Sequence, residues 1–468
     1  MVILNIAVKL FWLFGVDRTV QNQLGTEVYG NYFSFFQYAW IFSAVADMGI
    51  TSLNNRLISE QPSRLSFYLH NLIFFKIILS IIVFVAMILI GKLIGYSTQE
   101  LGLLSLVAIN ILTMSFYSFL RSNITGLHLF TSESILSVLD KFIMVVICSS
   151  FLWITFLQSY FDIYVFAGIQ IFGYFVSSVV VYFLLKPHVK RHNKKLNFKF
   201  ISKFVRTSAP YALLVLLMSL YTRTDSVLLE RMLPDGNHQN GIYASGFRIL
   251  DAFNMFAVLM ASFLLPIFSR NIFKKQMLQP IVKQSFLFLL FPILGLMAFM
   301  VAYYKDIYAL LYHSIPVEEG ANVFILFVAC FIPMSLSFIF GTLLTAKGKI
   351  KKLNYISVLA LVFNIGLNIY FIPTYKSLGV AVIAVLTQSL VLVIQIYYCV
   401  QIFNFKIQIS TVLKFVFLLV LALSLGFIFH YFTVPLILGL LLIGLVLLGF
   451  YFLFKFVQIE QIKLLKRS

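Results

Sequence analysis

The chain has 468 residues, of which 61% are hydrophobic and only 11% charged, with a mean hydropathy of +0.98. A soluble domain carries about 25% charged residues, so a soluble fold is excluded, and the formal net charge of +19 is to be weighed as membrane topology before nucleic-acid binding. Apolar runs long enough to cross a core of about 30 Å at about 1.5 Å per residue recur along the chain, and without a series of ~10-residue alternating segments these are helices, not a barrel.

The first span, 1–20, carries Lys9 and leads into Asp17-Arg18-Thr19 with no small-residue cleavage site, so it is read as retained. The second, 28–54, opens with Tyr29-Gly30-Asn31-Tyr32 and holds Asp47 in Ala44-Val45-Ala46-Asp47-Met48-Gly49-Ile50. A charge at bilayer depth costs roughly 2.5–3.5 kcal/mol on insertion scales. A short aspartate this far from Arg56 needs a partner or a proton, and Lys9 is the expected partner if the first two spans pack together. The third span, 69–95, contains Lys76 near its cytoplasmic end, where snorkelling is expected. The fourth, fifth and sixth spans are 101–121, 134–158 and 163–185; Asp140 and Lys141 lie a short way into the fifth, where an interfacial and a functional position are both open.

The longest connection, 186–206, reads KPHVKRHNKKLNFKFISKFVR and contains no acid. From Leu196 to Val205 it mixes apolar and basic residues, which suits an anionic-lipid surface, although a topology anchor and linker between halves is the favoured reading. The seventh span, 207–230, has Pro210 in its expected first turn and carries Arg223 and Asp225 in its outer third. Residues two apart on a helix do not face each other, so these two need different partners. The eighth, 240–268, opens with Asn240-Gly241-Ile242-Tyr243 and carries Arg248 and Asp251, which at i,i+3 can share a face. These four charges either line a cavity for an anionic headgroup, where the forked arginine donors suit phosphate, or pair with one another as staples. Spans 281–303 and 321–345 contain Pro292 and Pro333, read as helix breaks that free carbonyls and permit bending. Spans 353–373, 378–402, 411–431 and 434–455 complete a set of fourteen.

Most of the 35 bases fall on the side of the N-terminus, including Lys190, Arg191, Lys194 and Lys195 of the linker, Lys274, Lys406, and the tail residues Lys455, Lys463, Lys466 and Arg467. The opposite side has Arg18, Lys92, Arg231, Lys305 and Lys376, with the acids Asp17, Glu27, Glu100, Asp162, Glu230, Asp235, Asp306, Glu318 and Glu319. The positive-inside rule then puts both termini in the cytoplasm. Cys148, Cys330 and Cys399 are scattered within spans and give no disulfide or metal pattern. No phosphate-binding loop, nucleophile elbow, zinc-protease motif or paired-carboxylate pattern is present, and no outer loop could hold a soluble catalytic domain.

Gly-x-Tyr opens both the second and the eighth span; Gly126 before Leu136-Ser137-Val138-Leu139 answers Gly348 before Ile356-Ser357-Val358-Leu359; Asp17-Arg18-Thr19 answers Arg223-Thr224-Asp225. Matches six spans apart imply a parallel repeat about an axis along the membrane normal. The expected organisation is an N-terminal six-helix lobe (1–185), the basic cytoplasmic linker (186–206), a C-terminal six-helix lobe (207–402), and two extra helices with a basic cytoplasmic tail (403–468).

The stretch Asp17-Arg18-Thr19-Val20-Gln21-Asn22-Gln23-Leu24-Gly25-Thr26-Glu27-Val28-Tyr29-Gly30-Asn31-Tyr32 resembles the first outer loop of the polysaccharide-export (Wzx-like) oligosaccharide flippases, within the multidrug/oligosaccharidyl-lipid/polysaccharide exporter superfamily. Ala46-Asp47-Met48-Gly49-Ile50 with Asn55-Arg56, Arg223-Thr224-Asp225, Lys347-Gly348-Lys349 and Asn364-Ile365-Gly366-Leu367-Asn368 extend the resemblance over almost the whole chain. Where family members begin with a basic amphipathic segment, this sequence opens at Met1-Val2-Ile3-Leu4 inside the first span, so either that helix is short or its start lies upstream. The resemblance implies a non-enzymatic carrier of undecaprenyl-pyrophosphate-linked oligosaccharide in the bacterial inner membrane, working by alternating access between two lobes without a cofactor. A proton or sodium gradient, or the membrane potential, would drive it, with a polysaccharide polymerase and glycosyltransferases as partners. Arg18, Arg223, Arg248 and Lys9 are the expected headgroup contacts, and Asp47, Asp225, Asp251 and Asp140 the expected proton or ion sites. A cation-coupled multidrug exporter, a lipid II flippase and, from another class, a membrane-embedded glycan polymerase or glycosyltransferase are the alternatives.

Overall fold

The structure, a computed structural model, describes residues 2–189, 196–273, 275–405 and 409–453. The expected bases Lys190, Arg191, Lys194, Lys195, Lys274, Lys406, Lys455, Lys463, Lys466 and Arg467 lie outside the described residues. Among those described, the protein is a polytopic all-α membrane fold. Helix α1 (Val2–Leu10), a π-type stretch (Phe11–Asp17) and α2 (Arg18–Leu24) run to Gly25, whose φ of 85° turns the chain into α3 (Thr26–Asp47). There follow α4 (Ile50–Glu60), α5 (Leu65–Ile94), α6 (Thr98–Gly126), α7 (Phe130–Trp153), the short α8 (Thr155–Gln158) and α9 (Ile163–Leu185). After the linker come α10 (Phe198–Met232), α11 (Gly236–Asn271), α12 (Lys275–Leu311), α13 (Val317–Ala346), α14 (Ile350–Phe403), α15 (Ile409–Tyr431) and α16 (Leu436–Leu453).

Among the described residues, each of the fourteen expected spans falls mainly on helix. The eleventh and twelfth are the two arms of α14, which parts from helical geometry at Lys376 (φ 49°, ψ −137°). Nine of the described helices are long and apolar enough to cross a membrane. Helix α5 shows how they meet lipid: Ile77, Ile81, Ile82, Val85 and Leu89 are exposed, while Leu72, Lys76, Leu79, Val83 and Met87 form the buried stripe at helical spacing. Helix α3 is not among the nine. It is rich in Tyr29, Tyr32, Ser34, Gln37 and Tyr38, all buried, and a helix enclosed by others need not be apolar all round.

The chain divides into two compact units, Met1–Gly241 and Ile242–Ser468, so the division falls inside α11, whereas the expected lobes meet at the basic linker. Within the first unit α3 packs on α10 and α6, α6 on α9, and α1 on α7; within the second α13 packs on α12 and α14, and α12 on α15.

Three local expectations are corrected. The second span is not one helix: Met48 (φ 44°) and Gly49 (φ 72°) are left-handed and separate α3 from α4. Helix α4 then lies against α6, where Asn54 Nδ2 donates to Ser122 Oγ (2.8 Å) and Asn123 Oδ1 (3.1 Å). Pro210 is not in a first turn, because α10 starts upstream at an Asn197 cap whose Oδ1 accepts from Phe200 N (2.9 Å). The helix thus takes up the end of the basic linker, and Phe200 packs on the rings of Phe67 and Tyr68. Helices α12 and α13 run through Pro292 and Pro333 without ending there.

Candidate functional site

Charged and polar side chains gather in the first unit wherever α3 meets a neighbour. Arg223 projects from α10 toward α3, and its Nη1 donates to Gln37 Oε1 at 2.7 Å. Its guanidinium lies over the Trp40 ring, 5.1 Å from the centroid, within cation–π range. Gln37 and Trp40 are three apart on α3 and therefore share a face. Gln37 is fully buried, and its Nε2 has no partner among the described residues. Asp225, two residues on from Arg223, is 2% exposed. Next to it Ser226 Oγ donates to Asn240 Oδ1 (2.7 Å), and Asn240 Nδ2 donates to the Gly30 carbonyl (2.7 Å).

The Gly30 and Asn240-Gly241 segments matched in the sequence therefore touch. A Cβ on Gly30 would fall 1.9 Å from the Asn237 carbonyl oxygen, and one on Gly241 would fall 2.2 Å from that of Thr26. Only glycine allows this approach of α3 and α11. Gln21 Nε2 adds a bond to the Gly241 carbonyl (2.8 Å).

Asp47 is paired, but not with Lys9. Lys76 of α5 is fully buried; its Nζ donates to the Ala46 carbonyl (2.9 Å), to Asp47 Oδ1 (3.2 Å) and to Ser115 Oγ of α6 (2.7 Å). The snorkelling expected for Lys76 is overturned, because its ammonium is fully buried and held at the break in α3 by three oxygens. Asp47 also accepts from Thr51 Oγ1 across the break, and its side chain is 28% exposed.

Lys9 belongs to a different cluster. Asn5 Nδ2 donates to Ser137 and fixes α1 on α7, and Asp140, itself 6% exposed, is the opposite charge that acts most on Lys9. Lys141 Nζ donates to the Tyr174 hydroxyl (2.9 Å) and sits 4.9 Å from the Trp12 ring centroid. Arg18 is half-buried, with Nη2 at 3.5 Å from Thr19 Oγ1. Asp17, expected in an outer loop, is instead buried and accepts from the Tyr29 hydroxyl at 2.7 Å. In the second unit, Arg248 Nη1 lies 3.9 Å from Asp251 Oδ2, the i,i+3 pair the spacing anticipated.

One cluster went unread in the sequence, where its charges served only to sort the two sides. Glu230 is 8% exposed. Arg231 Nε stands 3.1 Å from Glu230 Oε2, too far off-axis for a hydrogen bond, and its Nη2 donates to Glu100 Oε1 at 3.2 Å. The guanidinium is 3.7 Å from the Tyr96 ring centroid, and the Tyr96 hydroxyl donates to Glu230 Oε2 at 3.3 Å. Burial, with Glu230 adding, pushes the Tyr96 phenol up, so it stays protonated and available as a donor. In α14, Asn368 Nδ2 donates to Asn364 Oδ1 (3.2 Å), and Asn364 Nδ2 reaches Thr387 Oγ1 (3.5 Å) across the two arms.

A family model described as polysaccharide biosynthesis protein matches residues 15–272, and one described as MatE matches residues 210–370. No curated protein matches the chain. Among solved structures, a lipid II flippase, MurJ, in an inward closed conformation is similar with a TM-score of 0.71 and 16% identity over 96% of this chain and 99% of its own. An inward-facing multidrug resistance MATE family transporter of the MOP superfamily gives 0.67 and 16% over 86% and 98%. A MOP superfamily transporter from Pyrococcus furiosus gives 0.61 and 15% over 86% and 94%. At these identities the likeness is one of fold.

Proposed function

The chain belongs to the polysaccharide biosynthesis protein family, whose model spans more than half of it, and from that premise we propose that it is a flippase for an undecaprenyl-pyrophosphate-linked oligosaccharide. It acts by alternating access in the bacterial inner membrane, with both termini cytoplasmic, for the synthesis of a surface polysaccharide. The observation that carries this reading is the Arg223–Gln37 pair. Gln37 turns its oxygen to Arg223 and is left with a buried Nε2 that lacks an acceptor among the described residues. An orphaned donor at that depth costs about 1–3 kcal/mol. A ligand rich in acceptor oxygens, such as a pyrophosphate with its first sugar, would satisfy it while Arg223 meets the negative charge. Arg18, Arg248 and Lys9 are the further headgroup contacts in this proposal. Asp225, Asp251 and Asp140, with Asp47, are its proton or ion sites, each able to bias a conformational equilibrium.

Lipid II as the cargo is the second reading. It is favoured by the reach of the likeness, 96% of this chain for the lipid II flippase against 86% for the multidrug transporter. In cells that assemble the glycan with this chain, Arg223→Ala is expected to reduce surface glycan by at least ~10-fold, the loss of one charge-assisted contact of roughly 1.5–3 kcal/mol. Gln37→Leu is expected to give a smaller loss, with the amount of membrane protein unchanged for both. Wild-type glycan levels in Arg223→Ala and Arg248→Ala would remove the headgroup role. Loss of viability without loss of glycan would transfer the proposal to lipid II.

A further inference from the structure

Lys76 sits where α3 stops. Met48 and Gly49, both left-handed, turn the chain out of the helix, so Ala46 is among the last residues of α3, whose carbonyls lack an amide one turn on. The negative end of the helix dipole gathers there and favours a cation. Three oxygens of different kinds converge on that point: the Ala46 carbonyl, the Asp47 carboxylate and the Ser115 hydroxyl, at 2.9, 3.2 and 2.7 Å from Lys76 Nζ. An ammonium has three donors and no acceptor, so this set satisfies it completely. A neutral amine would have a lone pair facing a carbonyl and a carboxylate.

The same set is what a broken helix offers a small monovalent cation in membrane carriers: an unwound carbonyl, a carboxylate and a hydroxyl. The break is held on its other side as well, since a Cβ on Gly49 would stand 3.3 Å from Cβ of Ser208 on α10. The Asp47 side chain, 28% exposed against none for Lys76, gives an ion a way in.

We propose that Lys76 is a tethered cation filling a monovalent-cation site at the break of α3, and that this site takes an alkali metal ion once the amine is removed. In the native chain the site is closed to metal ions, and Lys76 is the residue that sets this specificity. The site stands apart from what the chain carries. Only its consequence for coupling, that Asp47 exchanges a proton and not sodium, rests on the role proposed for Asp47 above.

The three tryptophans, Trp12, Trp40 and Trp153, all lie in the first unit, so their fluorescence follows the thermal unfolding of that unit in the detergent-solubilised full chain. With ionic strength held constant, the wild-type midpoint is expected to be the same in sodium, potassium and choline chloride. For Lys76→Ala the midpoint is expected to rise by several degrees, and to saturate, as choline is replaced by sodium or potassium, because a ligand that binds only the folded state stabilises it by mass action. n-Propylammonium, which replaces the lost stem and amine, is expected to do the same. Adding Asp47→Asn to Lys76→Ala is expected to abolish the response. A Lys76→Ala midpoint indifferent to all three cations would overturn the proposal, as would a wild-type midpoint that climbs with sodium or potassium and loses that response in Asp47→Asn. A Lys76→Ala chain that folds only when sodium, potassium or the alkylammonium is present supports it, and one that folds in none of these overturns it.

Discussion

Glu230, Arg231, Glu100 and Tyr96 act as one unit at the end of α10. The Glu230 carboxylate has 4% of its side chain exposed and Arg231 has 25%, so the pair is largely withdrawn from water. Removing one member of a buried pair is costly because the other charge is left behind. Arg231→Ala is therefore expected to destabilise the first unit by about 3 kcal/mol, the low end of the range for buried pairs given the part-exposed arginine. Glu230→Gln in the Arg231→Ala background is expected to recover part of that loss. A double-mutant cycle on the tryptophan unfolding midpoint measures the coupling, and strict additivity would mean the contact carries no energy. Sequence reading used Glu100, Glu230 and Arg231 only to sort charge by side, because the end of a span is blurred by a turn or so and a glutamate at the end of an apolar run looks solvated. Lys76 failed for a related reason. Its distance from the helix end was legible, but the direction of its stem depends on α3 breaking two helices away. By contrast, the pairing of Arg248 with Asp251 follows from i,i+3 spacing alone, and structure and spacing agree.

The crossing of α3 with the start of α11 is the element-scale feature that depends most on two glycines. A methyl on Gly30 has nowhere to go, with Asn237 O at 1.9 Å and Gly241 N at 2.6 Å, and backbone atoms cannot swing aside as a side-chain tip can. Gly30→Ala is expected to cost about 1–3 kcal/mol or more through forced separation of the helices. Gly102→Ala in α6, where nothing lies within 4 Å, is expected to be neutral or to stabilise by up to about 1 kcal/mol through helix propensity. The comparison of their unfolding midpoints separates close packing from the general effect of glycine in a helix; equal shifts would refute the close contact. The repeated Gly-x-Tyr was visible in the sequence as a pattern, and its meaning as a contact needed the fold. The fourteen spans themselves were legible because lipid enforces length and apolarity on each one separately. Helix breaks were read from proline and missed at glycine: α12 and α13 pass through Pro292 and Pro333, whereas Met48-Gly49 supplies the break at Asp47. A proline removes one donor, which a buried helix tolerates, but two successive left-handed residues take the chain out of helical geometry.

At the scale of the whole molecule, the proposed orientation rests on charge sorted by side, a property of loops and not of any contact. It can be tested residue by residue because the native cysteines, Cys148, Cys330 and Cys399, are all buried and none is in a disulfide, so a reagent in water does not reach them. Lys92, at the end of α5, and Lys186, just past α9, are both exposed and fall on opposite sides in the proposed topology. In right-side-out membrane vesicles, a membrane-impermeant maleimide is expected to label Lys92→Cys and to leave Lys186→Cys unlabelled until the vesicles are opened, with the cysteine-intact parent chain unlabelled in both. The reverse pattern would invert the orientation, and labelling of both from outside would mean that the number of crossings between them is even. That second result bears on function as well as topology. The chain between them contains α6, α7 and α9, and with α5 crossing fully before Lys92 an odd count is needed. An even count would place the basic linker on the same face as Lys92, and the direction of transport could no longer be inferred from the distribution of charge.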